Sequence, residues 1–267
     1  MKGRKVLLYL IMCIGLVSCS KNEQEGYGEN YNRKYDSQNF SANREQTVTE
    51  DGFYTIQEEY IFFVDKKSGK AIPLCGKVNC KHDDSTCNAY FNAPLNIQAY
   101  DGKIYVVARG SKDRTESLYR ISLDGSKKEE LKVLYANEDN DVSCALEFMI
   151  HRGYGYMVTN WVQKDRTERT QSMYRISLDT SEKKEEIASI TGYVPLIYIN
   201  ESRGNKIYFS TNRYIDQDGK KLEVINYELD ILKDSIRKLD FFKDKTLIVA
   251  KDERYYCYQK DGKGLLS

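Results

Sequence analysis

Two seven-residue stretches of this chain are near copies of each other, and that duplication limits the fold more than any other feature. Leu118-Tyr119-Arg120-Ile121-Ser122-Leu123-Asp124 returns as Met173-Tyr174-Arg175-Ile176-Ser177-Leu178-Asp179. Just upstream, Lys112-Asp113-Arg114-Thr115-Glu116 returns as Lys164-Asp165-Arg166-Thr167-Glu168. The offset is 52 residues for the upstream segment and 55 for the downstream one, so three residues separate the two spacings. Each copy runs on into a Lys/Glu cluster and an apolar tail, at Leu131 to Leu134 and Ile187 to Ile190. Self-similarity at a period of about fifty residues marks a chain built of repeated supersecondary units, each burying its apolar face against its neighbour.

Weaker echoes extend the series. Asp101-Gly102-Lys103-Ile104-Tyr105-Val106 is matched by Gly204-Asn205-Lys206-Ile207-Tyr208-Phe209. Asp51-Gly52-Phe53-Tyr54 and Lys243-Asp244-Lys245-Thr246-Leu247-Ile248 are more distant echoes. Within a unit the pattern is strand, turn, strand. Asn96 to Tyr100 meets Asp-Gly, a hairpin signal because both residues tolerate positive φ. Lys103 to Ala108 follows, then Leu118 to Leu123, a second Asp-Gly at Asp124-Gly125, and a fourth strand ending near Tyr135. The 22 tyrosines, together with Val and Ile, suit pleated, half-buried surfaces.

Four antiparallel strands per fifty residues predict an all-β fold, a β-propeller of about five four-stranded blades. Blades are expected to start near residues 47, 95, 143, 194 and 240, the last being short. Either five blades close with help from the N-terminal strand, or the chain is a shortened relative of a longer propeller. A β-sandwich is the alternative architecture. The units resemble those of TolB-like and related domain-of-unknown-function propellers over roughly Glu45 to Ser267, on the strength of the Asp-Gly-Lys-Ile-Tyr and Leu-Tyr-Arg-Ile-Ser-Leu-Asp-Gly segments. That resemblance implies the fold and leaves the function open.

The N-terminus carries an export pattern. Lys2, Arg4 and Lys5 precede an apolar run of twelve residues, Val6 to Val17. The run is too short to span hydrocarbon about 30 Å thick as a helix, and suits a signal peptide. Leu16-Val17-Ser18-Cys19 resembles the bacterial lipobox, which implies a diacylglyceryl thioether on Cys19 and cleavage before it. Two acyl chains, each buried CH₂ contributing about 0.8 kcal/mol, hold a protein firmly to a membrane. The expected organisation is a signal peptide over 1–18, a flexible tether over 19–44 and the repeat domain over 45–267. The tether has almost no aliphatic residues with which to offset its ordering entropy. The expected address is the extracytoplasmic face of the cell membrane, lipid-anchored.

The most distinctive local sequence places Cys75, Cys80, His82 and Cys87 in a C-x4-C-x-H-x4-C pattern. It resembles a loop between the first and second blades of uncharacterised surface lipoproteins of low-GC Gram-positive gut bacteria. Three thiolates and an imidazole can close a tetrahedral structural zinc site. An oxidising address favours a disulfide instead. Cys75, Cys80, Cys87, Cys144 and Cys257 are five thiols in the mature chain besides Cys19, so one must stay free, bind metal or pair between molecules. Cys144 and Cys257, in apparent strands, are expected to be small buried hydrophobes.

Lys+Arg (41) and Asp+Glu (40) nearly cancel to a net charge of +1, which offers no electrostatic case for nucleic acid. Of the two histidines, His82 lies in the cysteine loop and His151 stands beside Arg152, and no nucleophile elbow, Walker loop or His-Glu-x-x-His is present. The sequence therefore predicts a non-catalytic module for an unknown glycan, peptide or protein. The alternative is an extracytoplasmic hydrolase or lyase with its site in the central funnel. The two Lys-Asp-Arg-Thr-Glu segments read as charged hairpin tips.

Overall fold

The structure is a computed structural model that describes residues 45–259, apart from 113–114, 137–144, 160–161, 164–168, 180–183, 217, 241–244 and 252–253. The signal peptide, Cys19, the tether, Cys144 and most of the Lys-Asp-Arg-Thr-Glu segments thus lie outside the described residues. Every regular element within them is a β-strand, and all pairings are antiparallel.

The first sheet is a meander of β1 (Gln46–Val48), β2 (Gly52–Gln57), β3 (Tyr60–Asp65) and β4 (Ala71–Pro73). The second is β5 (Asn96–Tyr100), β6 (Lys103–Arg109), β7 (Thr115–Ser122) and β8 (Lys128–Ala136). The third contains β9 (Ala145–His151), β10 (Tyr154–Thr159) and β12 (Arg169–Ser177), with the short β11 (Val162–Gln163) paired to β12. The long β13 (Glu185–Arg203) completes it and continues into the fourth sheet, with β14 (Lys206–Tyr214), β15 (Leu222–Asp230) and β16 (Ser235–Lys238). A hairpin of β17 (Lys245–Lys251) and β18 (Arg254–Gln259) follows, with Cys257 on β18.

Turn chemistry sets these registers. At Asp101-Gly102, φ is 43° and 67°, the left-handed pair that a two-residue hairpin needs to match strand twist. The strand transfer in β13 has a different cause. Residues up to Gly192 pair with β12, and those from Tyr193 pair with β14. Between them Val194, at φ 48°, and Pro195, which has no N–H to give, break the ladder and let one strand serve two sheets.

Alternation along the strands explains how the sheets stack. On β6, Ile104, Val106 and Ala108 enter a core shared with the first sheet. The intervening Tyr105 and Val107 enter a second core with Phe148, Ile150 and Met157 of the third sheet. On β10, Met157 faces backwards while Tyr156 and Val158 join Ile197, Ile199, Ile207 and Phe209 of the fourth. A sheet covered on both faces by its neighbours belongs to a stack of more than two layers, which excludes a two-sheet sandwich.

The first strands hold the stack together. β1 lies beside β5, β5 beside β9, β9 beside β13, and β13 beside β17. Polar side chains clasp three of these junctions. Thr47 Oγ1 accepts from the Ala99 N–H at 2.9 Å, Gln98 Oε1 from Ile150 at 2.7 Å, and Glu147 Oε2 from Ile199 at 2.7 Å, every pair being 52 residues apart. Each clasp gives an amide of one sheet, buried at Ile150 and Ile199, an acceptor from the sheet before it. First strands side by side with sheets radiating from them are the arrangement of a β-propeller.

The repeat is also legible on the outer strands. Tyr105, Arg120 and Glu129 are directly opposed across β6, β7 and β8, as are Tyr156, Arg175 and Glu185 across β10, β12 and β13. The fourth sheet has Tyr208, Glu228 and Arg237 in that position, with the charges exchanged. Ile225 to Asp230 is thus a further copy. One distant echo is out of register: Lys245–Lys251 is the first strand of its hairpin, not a second strand like Lys103–Arg109.

Candidate metal centre

The connection from β4 to β5 is long, and it does not run free over the surface. Leu74, Cys87, Ala89 and Phe91 are buried in the core between the first two sheets, and Cys75 and Cys80 pack against it. Backbone bonds fix the loop to β3 and the turn before it, from the Ile61 N–H to the Ala89 carbonyl (2.9 Å) and from the Phe91 N–H to the Glu59 carbonyl (2.7 Å). The loop's other side meets the β7–β8 turn. Asn88 Nδ2 donates to the carbonyls of Gly125 (2.8 Å) and Ser126 (3.1 Å), and Tyr54 Oη to that of Leu123 (3.3 Å). The approach is close enough to require glycine at Gly125. Its φ is 68°, and a Cβ there would stand 2.5–2.6 Å from the Leu74 and Cys75 backbone.

This scaffold brings all four sequence-predicted ligands together. The Sγ atoms of Cys75, Cys80 and Cys87 and a ring nitrogen of His82 lie within 4.8 Å of one another, close enough to hold a metal ion. The three thiols are free, with no disulfide among them. His82 Nδ1 is 3.3 Å from Cys87 Sγ. In a tetrahedral zinc site the N–S edge is about 3.5 Å and the S–S edge about 3.8 Å, from bonds of about 2.0 and 2.3 Å. The tight Cys80-x-His82 spacing is met by left-handed backbone at Asn79 (φ 61°) and His82 itself (φ 58°).

The electrostatics are those of crowded sulfurs. Burial, and then the neighbouring Cys75 and Cys80 thiols, push Cys87 up to about 12, while an N–H donated by Ala89 works the other way. Burial opposes ionisation of Cys75 as well. The N–H groups of Lys77 and Asn88 and the adjacent thiols outweigh it, and Cys75 is held below the ordinary thiol range. Backbone donors two residues beyond Cys75 and Cys87 thus point at the sulfurs, the environment a metal-bound thiolate requires.

Sequence reasoning located the four candidate ligands but missed their surroundings. Asn88, Lys128 and the packing of Gly125 on Leu74-Cys75 gave no signal beyond ordinary turn and charge residues. His151 is fully buried, and its Nε2–H donates to the Gly204 carbonyl at 2.8 Å across the third and fourth sheets.

The chain is therefore an all-β protein of propeller type with a Cys-Cys-His-Cys cluster at its first inter-sheet junction. No protein-family profile and no curated protein sequence matches it. Among solved structures it is similar to an oligogalacturonate lyase in complex with manganese, at 10% identity and TM-score 0.43 over 77% of this chain and 52% of that one. It is also similar to the β-propeller domain of the trilobed protease from Pyrococcus furiosus, at 12% identity and TM-score 0.44 over 80% and 65%. A chain of the nidogen/laminin complex matches at 11% identity and TM-score 0.38 over 73% and 74%. The chain spans about half the length of the lyase. The fold assignment rests on the strand order and stacking above.

Proposed function

We propose that the protein is a binding module of the cell surface, a lipoprotein held at the outer face of the membrane by diacylglyceryl Cys19. In this reading β17 and β18 begin a fifth blade, and the propeller captures a glycan, peptide or protein without transforming it. A zinc ion at Cys75, Cys80, His82 and Cys87 serves as a structural staple. The non-catalytic reading is carried by the placement of the two histidines. His82 is committed to the cysteine cluster, and His151 is sealed between two sheets against Gly204. The zinc reading is supported by the donor set, since three thiolates and an imidazole satisfy a borderline-soft ion and close its coordination.

Three measurements test this. Cys19→Ala should lose the diacyl mass and the detergent partitioning of the wild type; a wild-type chain without that mass would end the anchoring claim. Purified protein should carry one zinc per chain, released together with thiol reactivity at Cys75, Cys80 and Cys87, whereas a Cys–Cys bridge in the mass spectrum would overturn the staple. Glycan-array and pull-down screens should yield a ligand recovered unchanged. Cleavage of that ligand would favour a hydrolase or lyase.

A further inference from the structure

We infer that Lys128 is the counter-charge of the metal centre and bolts the ion-bearing loop to the second sheet, an inference that rests on reading the Cys-Cys-His-Cys cluster as a zinc site. Three thiolates, a neutral imidazole and a divalent ion sum to a charge of −1. At the first inter-sheet junction Cys87 is almost fully buried, and Cys75, Cys80 and His82 are half-buried. A net charge in such surroundings is costly unless an opposite charge stands beside it.

Lys128 is the first residue of β8, on the far side of the junction from the ligands. Its side chain reaches back across the interface and its Nζ donates to the Tyr90 carbonyl. The ammonium lies 4.2 Å over the ring of Phe91 and 5.8 Å from that of Tyr119. Tyr90 and Phe91 come three and four residues after Cys87 in the loop, and the Tyr90 N–H is itself bonded to the Cys87 carbonyl at 3.2 Å. A half-buried ammonium calls for an anion, yet among the described residues no carboxylate forms an ion pair with Lys128. Burial works against its charge, the Cys87 sulfur favours it and the Lys77 ammonium opposes it. The charged metal complex supplies the missing anion. Zinc binding then draws β8 onto the loop, and through the loop onto the first sheet, whose edge strands β1 and β4 have only 3 residues each.

The test compares full-length, detergent-solubilised wild type with Lys128→Met, Lys128→Arg and Lys127→Met, using zinc affinity measured against a chromophoric chelator. Lys127 is the control: it is exposed, and its Nζ already pairs with Glu129 at 2.9 Å. Lys128→Met should bind zinc about tenfold more weakly, the lower end of what losing a partner around a metal site does. Lys128→Arg should stay within a few-fold of wild type, and Lys127→Met should match it. The denaturation midpoint of zinc-loaded Lys128→Met should fall, while the chelator-stripped forms of it and the wild type coincide. Equal zinc affinity in wild type and Lys128→Met would overturn the inference and leave the zinc site standing. So would an Arg variant as weak as the Met variant, or an equal loss of stability in the stripped forms, since each points to packing instead of charge. A wild type that binds no zinc removes both readings together.

Discussion

Replacing Gly125 and Gly102 by alanine, one at a time, separates a hairpin requirement from an inter-sheet one. The two residues share a backbone conformation, φ 68° and 67°, and both serve β-turns of the second sheet. Their surroundings differ. A Cβ at Gly102 meets nothing within 4 Å, whereas at Gly125 it meets the Leu74 carbonyl carbon at 2.5 Å and the Leu74 oxygen and Cys75 nitrogen at 2.6 Å. Gly102→Ala should therefore cost only the left-handed penalty, about 1 kcal/mol. Gly125→Ala carries that penalty plus a clash with backbone, which cannot rotate away as a side chain can. Overpacking adds about 1–3 kcal/mol if the Leu74-Cys75 peptide is displaced, and a loop that lifts off forfeits the two Asn88 hydrogen bonds, each about 1 kcal/mol. Either way the total is about 2–4 kcal/mol. For a protein of this size each kcal/mol moves Tm by about 2–4 °C, so thermal unfolding should resolve the pair easily. Because the displaced peptide carries Cys75, zinc affinity should drop in Gly125→Ala and hold in Gly102→Ala. Equal losses of stability in the two variants would refute the docking of the β7–β8 turn on the cysteine loop.

The first-strand clasps make a second prediction. Glu147→Ala should cost about 1–3 kcal/mol in urea denaturation by leaving the buried Ile199 N–H without its acceptor, while Glu147→Gln, which keeps a carbonyl oxygen in place, should cost clearly less. A third concerns acid. Hydrogen bonds from Ser122 and Ser126 hold the Asp124 carboxyl down at about 2, against an ordinary value of 3.8. A folded value below the unfolded one means that this stabilisation is complete above pH ~4 and is lost as pH falls through about 2. Asp124→Asn should flatten the pH dependence of the denaturation midpoint between those limits, and an unchanged profile would count against it.

Much of the architecture was legible because it is written in short-range chemistry. Asp101-Gly102 announced a hairpin, and the repeated Leu-Tyr-Arg-Ile-Ser-Leu-Asp segment announced a third strand, although β7 starts earlier than its apolar residues suggest, at Thr115. The copy at Ile225 to Asp230 escaped notice because Glu228 and Arg237 exchange the charges of Arg120 and Glu129. A cross-strand ion pair is equally served by either order, so complementarity survives where identity does not. The candidate metal ligands stood out as three cysteines and a histidine within thirteen residues, Cys75 to Cys87. Whether the thiols would bridge or converge could not be read from spacing, since it depends on left-handed turns at Asn79 and His82 and on donors from Lys77, Asn88 and Ala89.

By itself, then, the amino-acid order determined the strand periodicity, the fifty-residue recurrence and the identity of the candidate ligands, all of which follow from the preferences of neighbouring residues. Only the tertiary structure decided the 52-residue clasps through Thr47, Gln98 and Glu147, the seating of the cysteine loop on Gly125, and the position of Lys128 over Phe91. Such contacts join residues that are indifferent to one another until two apolar faces close together. Closing those faces strips water from the polar groups at their margin, and each stripped group must then find a partner from a distant part of the chain.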